Sequence, residues 1–141
     1  MLLLTFASAY IALPASHAFP YYRFVVPTSM LQSTIPVEDS QDVASAFRWL
    51  SVNASTDSGV MTTEVTYGWA KEYFTGKATI VWTPFGTTLQ EALESMISHG
   101  YHKIYTVWWA NGEGWYGQSS VPDGFSQVQD FGQFGVFLYP N

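Results

Sequence analysis

The sequence predicts an α/β fold, a three-layer sandwich with a short, mostly parallel sheet and an antiparallel last strand. Three observations point to it. Amphipathic helical stripes alternate with short β-rich runs through residues 36–109, a spacing that implies right-handed crossovers onto a parallel sheet. Turn-forming glycines and prolines punctuate these segments. A short connection after Trp109 then leads into a closing apolar run, which suits an antiparallel partner.

The elements follow in order. Asp39 or Ser40 can cap a first helix in which Val43, Ala46, Phe47 and Leu50 recur at i, i+3, i+4 and i+7. The turn-rich residues 53–59 end it, and Val60-Met61-Thr62-Thr63 reads as a strand. Tyr67-Gly68-Trp69 opens a second helical run closed by Gly76. Ala78-Thr79-Ile80-Val81-Trp82 is nearly continuous in apolar character, as expected of a strand covered on both faces. Thr83-Pro84-Phe85-Gly86 turns the chain. Thr88 with Glu91 makes a capping box ahead of a helix striped by Leu89, Ala92, Leu93, Met96 and Ile97, and Gly100 ends that helix. Residues 101–109 are β-rich, residues 110–120 form a Gly-rich aromatic loop, and Pro122-Asp123-Gly124 marks a turn. Residues 125–130 suit one short helix, and residues 134–139 close the chain as a strand.

Composition bounds the function classes. The 141 residues are 48% apolar, enough for one core. Charged residues make up 11%, against roughly 25% in ordinary soluble proteins. Aromatic residues reach 18%. A surface so poor in charge must be clothed in Ser, Thr, Gln, Gly and aromatic side chains, a balance that points outside the cytoplasm or to a membrane-proximal site. The net charge of -6 opposes a phosphate backbone, so nucleic acid is not an expected partner. With no cysteine, disulfides, thiol catalysis and cysteine-ligated zinc are excluded.

Residues 1–18 are expected to form an apolar signal or membrane-tail segment, residues 19–36 an aromatic linker and residues 37–141 a single α/β domain. A helix over the first apolar run would rise about 20 Å, short of the ~30 Å hydrocarbon core, before Pro14 interrupts it. A signal peptide, the end of a longer membrane span and a packed segment of the domain all suit it. Ser16-His17-Ala18 offers small residues for cleavage, whereas a basic residue near Met1 is missing. Phe19-Pro20-Tyr21-Tyr22-Arg23 fits a membrane interface or an aromatic edge strand equally.

Ligands gather beyond the carboxyl ends of strands in open parallel sheets. There the sequence places Glu64, Tyr67, Gly68, Trp69, Trp108, Asn111, Glu113, Trp115 and Tyr116. Aromatic faces can stack on sugar rings while carboxylates and amides bond hydroxyls, so glycan contact is the natural ligand hypothesis. The competing reading makes the tryptophans core and the glycines loop-shaping. Glu64 and Glu113 are also a candidate acid and base for glycoside cleavage. His99 and His102 lack a third metal ligand at motif spacing, and Gly100 breaks the helix between them. Neither a Walker loop nor a dinucleotide fingerprint occurs, so no cofactor is indicated. Asn53-Ala54-Ser55 is a glycosylation sequon in an exported chain.

The run Asp42-Val43-Ala44-Ser45-Ala46-Phe47-Arg48-Trp49-Leu50-Ser51-Val52-Asn53, followed by Asp57, Val60-Met61-Thr62 and Tyr67-Gly68-Trp69, resembles a known family. It is similar to the soluble C-terminal domain of prokaryotic multi-spanning glycosyltransferases that use lipid-linked sugars, among them the archaeal oligosaccharyltransferase catalytic subunits. Residues 131–139 resemble the closing strand of such domains. The family's Trp-Trp-Asp-Tyr-Gly signature is matched only at Tyr67 and Gly68, because Glu64-Val65-Thr66 stands where Trp-Trp-Asp would. The family's catalytic acids and metal site lie in membrane loops. The resemblance therefore implies a non-catalytic extracytoplasmic accessory domain, secreted or membrane-tethered, that contacts glycan or the membrane glycosyltransferase portion. The alternatives are a small secreted carbohydrate-active enzyme using a carboxylate pair and a protein-interaction module with an aromatic rim.

Overall fold

The spacing of Val43, Ala46, Phe47 and Leu50 places all four on one helical face, and all four are fully buried beneath helix α1, Ser40–Asn53. In the computed structural model the described residues are 35–83, 86–111 and 120–140. They belong to one unit, Ile35–Asn141. The expected signal or membrane-tail segment and most of the aromatic linker lie outside the described residues. Capping of α1 differs from the expectation. A 3-10 turn, Val37–Asp39, runs directly into the helix, and the Ser40 hydroxyl donates back to the Val37 carbonyl at 2.6 Å. Asp39 thereby takes a helical backbone conformation, unlike the extended one typical of a capping residue.

Strand β1, Ser58–Thr62, is buried throughout. Helix α2 is Glu64–Tyr73, β2 is Thr79–Trp82, α3 is Leu89–Ser98 and β3 is Lys103–Trp109. Strands β4, Ser126–Asp130, and β5, Phe134–Pro140, complete a sheet of order β2-β1-β3-β5-β4. β1 pairs in parallel with both β2 and β3, while β5 runs antiparallel to β3 and β4. Crossovers leaving β1 in one direction and returning past it in the other must, if right-handed, use opposite faces. Accordingly α1 packs with α2, β3 and β5, whereas α3 lies on β1. Met96 of α3 occupies the space a Cβ on Gly59 would need, which lets the helix approach β1 closely.

Two expectations are corrected. Residues 126–130 form an edge strand where a short helix was expected, because a segment this short gains more from ladder bonds to β5 than from an isolated turn. A bulge between Gln127 and Gln129 leaves Val128 facing outward. β2 is likewise an edge strand, covered only in part, with Trp82 48% exposed. The apolar run that suggested cover on both faces belongs to a strand flanked only by β1.

The capping box of α3 forms as the sequence indicates. Thr88 Oγ1 accepts from the Glu91 amide at 3.2 Å, and Glu91 Oε2 accepts from the Thr88 amide at 2.8 Å. The Thr88 backbone and side-chain hydrogen bonds hold the Glu91 carboxyl below its ordinary value of 4.5. A lowered carboxyl pKa contributes stability that is complete above the unfolded value and is lost as pH falls through the folded one. Thr88→Ala should lower the denaturant midpoint at neutral pH, and this difference should shrink in titrations repeated below the carboxylate range. At the other end, Gly100 takes φ +87, with Tyr101 N–H bonding Met96 O and Gly100 N–H bonding Ile97 O. This is a Schellman closure.

Candidate functional site

α2 begins at the carboxyl end of β1, so its residues lie where a parallel sheet presents ligands. Thr63 precedes the helix in an extended conformation, and its amide donates to Thr66 Oγ1 at 3.0 Å, fixing the helical start at Glu64. From that start, helical spacing sorts the side chains into stripes. Val65, Trp69 and Tyr73 fall on one stripe, and Glu64, Gly68 and Glu72 on the next. These six residues line an open groove of about 340 Å³.

The indole of Trp69 stacks on the phenol of Tyr73, with ring centroids 5.6 Å apart and planes at 21°. Arg48 of α1 places its guanidinium over the same phenol, 4.9 Å from the centroid. Below the rings, Ser51 of α1 accepts from the Thr75 amide at 2.9 Å and donates to the Phe47 carbonyl, tying the end of α2 to α1. The aromatic pair is thus set on a braced helix. Glu64 and Glu72 are exposed, and among the described residues neither carboxylate enters a hydrogen bond or ion pair. Their Cα atoms stand about 12 Å apart along the helix axis.

The remaining sequence candidates separate. Tyr67 is turned about 200° from Trp69 around the helix. Its ring lies 6.2 Å from that of the edge residue Trp82, beneath the Lys71 ammonium at 5.7 Å. Trp108 is 1% exposed and packs edge-on against Trp109, with ring centroids 5.0 Å apart. Its Nε1–H is buried, without an acceptor among the described residues. Asn111 is exposed and donates to the Gly132 carbonyl at 3.4 Å. Glu113, Trp115 and Tyr116 lie outside the described residues, and with them the Glu64 and Glu113 pairing. Asn53 ends α1, exposed, its Nδ2 donating to the Trp49 carbonyl at 2.8 Å. His99 and His102 are exposed on either side of the Gly100 turn, and the described residues contain no group of acidic or histidine side chains able to hold a metal ion. Glu72, Tyr73 and Arg48 were not singled out from the sequence. The signal for the first two is the i+4 relation to Gly68 and Trp69.

Fold and groove together define a three-layer α/β domain bearing an aromatic, acidic surface cleft on the helix that follows β1. Compared with protein-family models, curated proteins and solved structures, the chain finds no match. Among the described residues no helix is long and apolar enough to cross a membrane.

Proposed function

We propose that this chain is a non-catalytic, glycan-contacting domain that works outside the cytoplasm, secreted or tethered beside the membrane portion of a glycosyltransferase-like protein. The observation that carries this reading is the stacked Trp69 and Tyr73 pair flanked by the unpaired carboxylates of Glu64 and Glu72. An indole face matches the apolar face of a pyranose, and carboxylates accept from its hydroxyls. The low charge content and the resemblance of residues 37–139 to extracytoplasmic domains of lipid-linked sugar transferases support the location and the accessory role.

The test is a glycan-binding screen by calorimetry with wild type and Trp69→Ala. Trp69 is only half-buried, so its removal should leave the fold intact and weaken binding by at least about tenfold. Equal binding by wild type and Trp69→Ala would overturn the assignment of the groove.

A further inference from the structure

We infer that the groove takes a saccharide carrying a protonated amine, seated over Gly68 between Glu64 and Glu72 and against the face of Trp69. This deepens the glycan reading and rests on it.

Gly68 carries the argument. It is the exposed midpoint of α2, a position where glycine weakens a helix relative to alanine. Among the described residues nothing asks for it. Its φ lies outside the left-handed region, and a Cβ built there would meet no atom within 4 Å. The other glycines of the sheet and turns have such reasons: Gly59 admits Met96, and Gly132 has φ +100. A bare backbone with open space above it makes sense where something outside the chain approaches closely. Gly68 stands one turn from Glu64 on one side and one turn from Glu72 on the other, with Trp69 beside it. The notch is therefore walled by two carboxylates and an indole.

Charge selects the occupant. The two carboxylates are unpaired among the described residues, and the face of an indole is the negative end of its quadrupole. Arg48 lies over the groove residue Tyr73 and Lys71 over Tyr67, and among the described residues neither pairs with Glu64 or Glu72. The chain as a whole carries -6. An ammonium group on a sugar ring would make a charge-assisted hydrogen bond to the carboxylate beside it while the ring stacks on Trp69. An acidic saccharide would be repelled, and a neutral one would use the indole and ordinary hydrogen bonds alone.

The experiment titrates the whole chain with a glucosamine oligomer and with its N-acetylated counterpart, at about pH 6, above the ordinary carboxylate range. Wild type should bind the amine form at least about tenfold more tightly than the acetylated form, and added salt should shrink that gap. Glu64→Gln with Glu72→Gln should abolish the difference, because the amine form loses more affinity than the acetylated form. Gly68→Ala should weaken both oligomers while raising the melting temperature, a pairing of signs that a merely structural glycine would not produce. Equal affinity for the two oligomers in wild type overturns the amine inference, and retained sensitivity to Trp69→Ala would then leave the glycan reading standing. Absence of binding to either oligomer overturns the amine inference as well. Gly68→Ala that binds both like wild type removes the notch from the site.

Discussion

Phe47→Ala should destabilise the domain by about 3–5 kcal/mol, lowering the melting temperature by about 10–20 °C. Phe47 is fully buried on the inner stripe of α1, the helix that spans from α2 to β5 and so joins the parallel half of the sheet to its antiparallel half. The strand registers bring Val107 beside Val136 and Trp109 beside Phe134 across the β3 and β5 pair, in the core that contains Phe47. These neighbours stand on strands fixed by their own ladders, so they cannot collapse into the vacated volume, and the cavity term adds to the lost transfer energy. Native domains hold about 5–15 kcal/mol in reserve, so this one truncation consumes a large share of it. Guanidinium unfolding should show a lower midpoint with an unchanged slope. A loss below about 1 kcal/mol would mean that α1 is not seated on the sheet as described.

The layers of this fold were legible because helical periodicity is written locally. The stripe on α1, the Thr88 and Glu91 box and the Gly100 closure each need only neighbours along the chain, and each appears in the structure. The sheet margins are different in kind. The apolar run at residues 78–82 has the same composition whether it is central or marginal, and its edge place follows from β1 having been flanked by β3 on its other side. The run Ser126-Gln127-Val128-Gln129-Asp130 has one β-branched residue, and its strand state comes from the ladder supplied by β5. Neither fact resides in the segment itself.

For the site, the helical start was the missing quantity. Glu64, Gly68 and Trp69 are identifiable as residues at the carboxyl end of β1, but opening the helix at Tyr67-Gly68-Trp69 groups Tyr67 with them. With the helix starting at Glu64, each residue advances about 100°, so Tyr67 swings to Trp82 while Glu72 and Tyr73 enter the groove. The Thr63 and Thr66 pairing that fixes this start involves two buried threonines, and nothing in their spacing distinguishes it from an ordinary strand end. Trp108 illustrates a second limit. In an unbroken apolar run the pleat directs successive side chains to opposite faces, yet composition alone cannot say that both faces are covered.

The second large effect is expected at Gly132, in the turn between β4 and β5. Gly132→Ala should cost about 2 kcal/mol, for two separable reasons. Its φ of +100 is unfavourable for any side chain, and a Cβ there would stand 2.7 Å from Asp42 Oδ2. That carboxylate oxygen accepts from the Gln133 amide at 3.0 Å, so α1 and the hairpin are clamped at this point, while Asp130 Oδ1 accepts from the Gly132 amide at 2.8 Å and shapes the turn. Asp42→Ala alone removes one charge-assisted bond at an exposed site and should cost about 1 kcal/mol. In the double variant the carboxylate no longer opposes the new methyl group, so the summed loss should fall short of additivity by about 0.5–1 kcal/mol. Strict additivity in denaturant titrations would mean that backbone conformation alone accounts for Gly132, and that the contact between the first helix and the last hairpin carries no part of the cost.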